Sequence, residues 1–397
     1  MKKLITTFII CFFTIFLVFI LWSNPRVSNQ IFVFFDNFAS SIKMDKNIKY
    51  DNNFITNELS TMSSCFYFEK LNENQKKIYT DVIKGISKLK ENIMIKNYLY
   101  KNDDELMKDT SVAIEAILAD HPEIFYINNE YSVSTIETLT KTIAEVRISY
   151  TVKNEIELAE QINQIKHEIK EIIDPITSTE EFDIELQIHD EILNKIEYYN
   201  HKKIEDIPQS CHNIYGAFVN KKAVCDGYSK AFKILLNMKK IDNIIVTGKL
   251  DEEPHAWNMV KIKEKWYNTD LTSDNSIKTN EKVSIHAYFN VTTAEIAKTH
   301  FISNQENLPI ANETIYNYYE YLNKKITAFD DFGQKFEEII NKNTSDKVLE
   351  LKASGNNVVP ESMIKVLKDF KHPEYLSKND KKFNYYNILD VYIIFKK

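Results

Sequence analysis

The chain has 397 residues, 44% of them hydrophobic and 12% aromatic, with a formal net charge of -7. That length exceeds what one core usually supports, and the apolar content excludes an extended disordered chain. The charge is spread without a basic stripe, so nucleic acid is excluded as an expected partner. Only Arg26 and Arg147 are arginines, and the bias toward Lys, Asn, Ile and Tyr resembles that of AT-rich bacterial coding sequences.

Lys2 and Lys3 precede a charge-free run from Leu4 to Trp22. Such a run approaches the roughly 20 residues a helix needs to cross a bilayer, and no small-residue cleavage pattern follows it. Residues 1–22 are expected to be a transmembrane anchor or signal segment, the uncleaved anchor being favoured. The two lysines hold the N-terminus in the cytoplasm, giving a single-pass protein of the cell membrane with an extracytoplasmic C-terminal part. Secretion is the alternative. Residues 23–65 read as an Asn-rich stalk.

Residues 66–176 read as an α+β unit. Ile78, Val82, Ile86 and Leu89 recur at helical spacing after Asn72-Glu73, and a second helix runs to the Asp120-His121-Pro122 stop. Val146, Ile148, Tyr150 and Val152 alternate as a half-buried strand, and Ile156 to Ile173 returns to helical periodicity. Asp120, His121 and Glu123 are crowded into one turn, which suits a helix end better than a metal site. Outside the anchor stand Cys65, Cys211 and Cys225, an odd number that leaves at least one thiol unpaired; spacing leaves a Cys65–Cys211 bridge open.

Over residues 177–305, Ser178 and Glu181 fit a capping box that starts a helix with Phe182, Leu186, His189, Leu193 and Ile196 on its stripe. His189 there reads as packed rather than as a ligand. Tyr228, Phe232, Leu235 and Leu236 mark a further helix, so Cys225 lies at its N-terminus, where the free N–H groups favour a thiolate. His255 to Ile262 and Lys265 to Asp270 read as strands joined by Lys263-Glu264. A two-residue turn pairs Ile262 with Lys265, so position 257 faces position 270 and His255, Trp257 and Asp270 share one face. A thiol, an imidazole and an orienting carboxylate are what nucleophilic acyl transfer needs. A zinc site built from the same three residues lacks a fourth ligand.

The motifs Tyr215-Gly216-Ala217, Val224-Cys225-Asp226-Gly227-Tyr228, Thr247-Gly248, His255-Ala256-Trp257-Asn258 and Trp266 to Thr272 resemble the transglutaminase-like superfamily in its bacterial secreted branch. The resemblance covers about residues 180 to 300. It implies a papain-like α+β core, a helix bearing the Cys packed on an antiparallel sheet, with Cys225 as nucleophile, His255 as base and Asp270 as its orienting partner. Two departures, Asn220-Lys221-Lys222 where the family often has glycine and Ser273 where it often has an aromatic, affect the groove rather than the triad. Beside the Cys225 backbone N–H, Tyr215, Asn220 and Trp257 are the candidates for oxyanion or substrate contacts. No metal and no cofactor is expected, and no calcium loop is visible.

Residues 306–397 read as a small α/β accessory region for cell-wall components or partner binding. Its elements are helices at Tyr316 to Ile326 and Phe332 to Ile340, a strand at Val348 to Leu351, a helix at Met363 to Phe370 and a strand at Tyr385 to Phe395; His286 and His300, before it, read as structural or exposed. The expected function is extracytoplasmic cysteine acyl transfer on protein or peptide substrates, as peptidase or cross-linking enzyme. The alternative is a catalytically inactive transglutaminase-like module for surface assembly or protein binding.

Overall fold

The structure is a computed structural model. It describes residues 65–95, 100, 103–137, 142–200, 203–276, 283–327, 331–343, 345, 347–353, 360–376 and 384–396. The expected anchor over 1–22 and the stalk up to residue 64 lie outside them. Among the described residues no helix is long and apolar enough to cross a membrane. The described chain divides into two compact units, one ending at Thr177 and including Ile234–Ile241, the other formed by Ser178–Lys233 and Asp242–Lys397.

The first unit contains α1 (Phe66–Lys70), α2 (Glu73–Ile86), β1 (Asn92–Ile95), α3 (Asp103–Asp120), β2 (Ile127–Glu137), β3 (Thr142–Tyr150) and α4 (Glu155–Ile173). The strands form an antiparallel sheet in the order β1-β3-β2. Asn72 and Gln75 close a reciprocal capping box at the start of α2, which buries Ile78, Tyr79, Val82 and Ile86. At the end of α3, Asp120 accepts the backbone N–H groups of Tyr67 and Phe68. His121 beyond it is buried between the Tyr79 hydroxyl, at 2.8 Å, and Glu123, at 2.7 Å.

The second unit opens with α5 (Glu181–Lys195), β4 (Glu197–Tyr198), α6 (Ile214–Phe218), β5 (Lys222–Ala223) and α7 (Cys225–Met238), whose residues from Ile234 onward are counted with the first unit. Then follow β6 (Asn243–Leu250), β7 (Glu253–Ile262), β8 (Lys265–Thr269), α8 (Leu271–Ser276), α9 (Thr293–Ile296) and β9 (His300–Ile302). These strands make an antiparallel sheet ordered β8-β7-β6-β9. The helix expected to start with a Ser178–Glu181 capping box starts instead with Glu180 as its cap residue and no side-chain cap. Glu181 is engaged elsewhere, accepting the Lys263 N–H at 2.7 Å in the β7–β8 turn.

A second sheet, β10 (Lys325–Ile326), β11 (Val348–Ala353), β13 (Val391–Phe395) and β12 (Tyr385–Ile388), is mixed, with only β10 and β11 parallel. The core beside it joins Phe336 and Ile339 of α11 (Phe332–Asn341) and Met363 and Leu367 of α12 (Pro360–Asp369) with Leu349, Leu351 and Ile394. The helix expected over Tyr316 to Ile326 is one turn, α10 (Tyr318–Tyr321), because Asn323 turns left-handed at φ 56 before β10. The single strand expected over Tyr385 to Phe395 is a hairpin turning at Leu389 and Asp390. Residues 306–397 are not set apart as a unit of their own. Glu350 of β11 accepts the His286 backbone N–H at 3.0 Å and the Tyr319 hydroxyl at 2.8 Å, so buried polar contacts tie this sheet to the segment before α9 and to α10.

Candidate active site

The β7–β8 hairpin sets the site. Ile262 pairs with Lys265 and Asn258 with Thr269, the register a two-residue turn demands. Lys263 and Glu264 both take positive φ, 45° and 67°, matching a type I′ turn made without glycine. Because side chains alternate, His255 on β7 and Asp270 at the end of β8 fall on one face, and His255 Nε2 lies 2.8 Å from Asp270 Oδ2.

Asp270 is also the cap of α8. Its Oδ1 accepts the N–H groups of Thr272 and Ser273 and the Thr272 hydroxyl, while Ser273 Oγ donates to Oδ2. A third strand supplies another partner. On β6, Gly248 faces His255 on one side and Ile302 of β9 on the other, and Leu250 faces His300, so His255 and His300 share a face across β6. His300 Nε2 lies 2.9 Å from the same Asp270 Oδ2. This spacing needs a glycine at 248, since a Cβ there would meet the Phe301 carbonyl oxygen at 1.9 Å.

Cys225 is the first residue of α7, partly exposed, and its thiol is free. The strand pair β4–β5 sets Tyr198 opposite Ala223, two residues before it. The helix start presses on the chain at Cys211: Val224 N–H donates to the Cys211 carbonyl at 3.0 Å, and a Cβ on Gly227 would meet that oxygen at 2.4 Å. The Cys225 thiol stands close enough to the His255 ring to add to the effect of Asp270 on it. Nε2 is taken by Asp270, which leaves Nδ1 for the sulfur.

Burial by itself would drive the His255 imidazole toward neutrality. The Asp270 charge and hydrogen bond, with the sulfur beside the ring, override burial and raise it to about 10. Burial would likewise protonate Asp270, but His255 and His300 hold its carboxyl well below the ordinary range. Cys225, His255 and Ser273 line a cavity of about 1360 Å³, together with Tyr198, His212 and Asp226. Asp226 is held below the usual carboxylate range, burial being outweighed by Lys230 and His212.

Residues 170–271 match the transglutaminase-like superfamily. The chain carries a transglutaminase-like domain. Among solved structures, a TGase crystal structure is 18% identical over 60% of this chain and 59% of its own, with a TM-score of 0.27. A candidate cysteine protease from Cytophaga hutchinsonii is 12% identical over 45% and 69%, with a TM-score of 0.24. The periplasmic domain of TgpA from Pseudomonas aeruginosa is 11% identical over 33% and 54%, with a TM-score of 0.21. This chain thus spans 59% of the length of the TGase it resembles. No curated protein matches it.

The transglutaminase-like domain brings Cys225, His255 and Asp270 together, but not the three residues expected to help with the oxyanion or substrate. Trp257 is 1% exposed, its Nε1–H is donated to Asn268 at 3.1 Å, and it packs under the rings of His255 and His300. It is a floor for the imidazoles rather than a cavity wall. Tyr215 and Asn220 sit on and just after α6, away from the cavity lining, and Asn220 Nδ2 donates to Ser210 Oγ. The wall residue that sequence did not single out is Tyr198, whose phenol is pushed up to about 12 by burial and by the charges of Cys225, Asp270 and Asp226.

His300, expected to be structural or exposed, is buried and joins the triad. No motif spacing points to it. Among the described residues, two groups of His and Asp bring ligand atoms close enough to hold an ion: His255 with Asp270 and His300, and His189 with Asp190 and His286.

Proposed function

We propose that this chain is an extracytoplasmic cysteine acyl-transfer enzyme acting on protein or peptide substrates through a Cys225 thioester. One observation carries the reading: His255 is bonded to Asp270, at 2.8 Å, and stands beside Cys225 at a helix start, on the wall of an open cavity. The extracytoplasmic side follows from Lys2 and Lys3 ahead of the charge-free run Leu4 to Trp22.

In this reading the Cys225 sulfur attacks an amide carbonyl carbon, and the carbonyl electron pair moves onto oxygen. The first-turn N–H groups of α7, which have no intrahelical carbonyl to bind, suit that developing charge. Collapse of the adduct breaks the C–N bond while His255 gives its Nδ1 proton to the leaving amine. Water or a primary amine then passes a proton to His255 and attacks the thioester. The products are an acid or a new amide, and the thiol is regained. Asp270 orients the imidazole and stabilises its cationic form.

The test is mass spectrometry of a peptide mixture incubated with the chain, with and without an added primary amine. Amine-modified glutamines mean transfer and cut backbones mean hydrolysis, each disappearing in Cys225→Ala. Chemistry that survives Cys225→Ala would remove the proposal. Neither product, together with iodoacetamide labelling of Cys225 that is indifferent to His255→Ala, would instead support the inactive binding module.

A further inference from the structure

A second cluster of imidazoles and carboxylates lies in the transglutaminase-like unit, outside the triad. His189 and Asp190 are neighbours on α5, and His286 precedes α9. His189 Nδ1 and His286 Nε2 both point at one oxygen, Asp190 Oδ1, at 3.0 and 2.9 Å. The other nitrogen of each ring also meets a carboxylate: His189 Nε2 lies 3.2 Å from Asp274 Oδ2, and His286 Nδ1 lies 3.2 Å from Glu350 Oε1. Both histidines are buried, while the Asp190 side chain is 37% exposed.

The arrangement is compact, with two rings 5.1 Å apart whose inner nitrogens converge on one carboxylate oxygen while each outer nitrogen rests on another carboxylate. One divalent ion would replace the two inner N–H···O contacts with metal bonds. It would also occupy the place where both inner nitrogens converge on Asp190.

We propose that His189 Nδ1, His286 Nε2 and Asp190 Oδ1 bind a zinc ion, with Asp274 and Glu350 fixing the two rings from behind. Binding releases the two inner protons to solvent. Two imidazoles and a carboxylate suit zinc, and a histidine whose outer nitrogen rests on a carboxylate is the usual way a protein orients such a ligand. The outer carboxylates are themselves held, Glu350 by the Tyr319 hydroxyl at 2.8 Å and Asp274 by the Tyr288 N–H at 2.9 Å. Tetrahedral zinc with bonds of about 2.0 Å spaces its ligand atoms roughly 3.3 Å apart. The two separations to Asp190 are a few tenths shorter, and all three atoms lie within 4.8 Å of one another, so a small opening of the cluster admits the ion. The exposed side of Asp190 provides entry and a fourth, water position.

The experiment uses the full chain in detergent, with Cys225 alkylated so that it cannot bind metal. Chelator-stripped protein is dialysed against zinc chloride, and bound zinc is measured by inductively coupled plasma mass spectrometry alongside thermal unfolding. The expected result is one zinc per chain and a melting temperature that falls on stripping and returns with zinc. Asp190→Asn, a partly exposed and nearly isosteric change, should bind at least tenfold less tightly, and Asp190→Ala/His286→Gln should bind none. His300→Gln should keep its zinc, because that residue belongs to the other histidine cluster. Equal uptake by the chain and Asp190→Asn, no uptake at all, or loss of zinc in His300→Gln would each overturn the assignment.

Discussion

His300 Nε2 lies 2.9 Å from Asp270 Oδ2, the oxygen that also holds His255 at 2.8 Å. Asp270 is therefore a hub with an imidazole on either side, and in the proposed reaction His300 is expected to position His255 through it. His300→Gln replaces the fixed ring N–H with an amide on a flexible arm and so weakens a hydrogen bond to a buried carboxylate, an interaction of about 1.5–3 kcal/mol, and kcat should fall by up to roughly 10- to 100-fold with KM little changed. A purely structural role predicts lower stability alone. The deciding readout is the pH profile of Cys225 alkylation, which should shift in His300→Gln while the remaining folded fraction is held constant.

Asp270→Asn keeps the shape of the carboxylate and removes its charge. Loss of the orienting carboxylate in a comparable triad costs about 10⁴-fold in kcat, and an unpaired buried charge costs about 3–5 kcal/mol of stability. Urea unfolding and turnover should both show the loss. A variant that unfolds at the parent midpoint would contradict the burial and bonding of Asp270.

Stability should depend on pH at both ends. His255 is raised above its ordinary value to about 10, so the stability it contributes is complete below about 6.5 and is lost as pH rises toward 10. Asp270 is depressed. Its contribution is present above about 3.9 and is lost as pH falls through its folded value. Melting temperatures of the parent and His255→Ala between neutral and alkaline pH check this: the variant should show a smaller alkaline decline, the remainder belonging to other buried histidines such as His286, which is also raised to about 10.

The Lys263-Glu264 turn holds two non-glycine residues at φ 45° and 67°. Lys263→Asn with Glu264→Gly supplies the residues a type I′ turn prefers and should stabilise the chain by about 1 kcal/mol. It keeps the backbone N–H that Glu181 accepts. Activity should be unchanged, because the register of His255 and Asp270 is unchanged. A drop in melting temperature would show that the Lys261–Glu264 and Lys263–Glu180 ion pairs outweigh the backbone preference.

Gly248→Ala tests the sheet. Its Cβ would lie 1.9 Å from the Phe301 carbonyl oxygen, a backbone atom that cannot move without displacing β9. The expected cost is about 1–3 kcal/mol, with a loss of activity similar to that of His300→Gln, since β9 carries His300. Full activity in Gly248→Ala would argue against His300 as a positioning residue.

What sequence by itself determined was local. Tyr228 and Phe232 at helical spacing put Cys225 at a helix start, and two alternating segments around a two-residue turn brought His255 and Asp270 to one face. Short-range rules suffice there, because turn length fixes hairpin register and alternation fixes the face. The same rules failed where a distant group competed for a local one: Glu181, matched to Ser178 in sequence, is taken instead by the Lys263 N–H. They also failed at Trp257, which has the right face but is covered by the imidazoles it supports. Only tertiary structure decided that β9 returns beside β6 to bring His300 to Asp270, that the β4–β5 pair brings Tyr198 to the cavity, and that His189, Asp190 and His286 converge. Which strand takes an open sheet edge is decided by packing over the whole unit, and no periodicity within one segment encodes it.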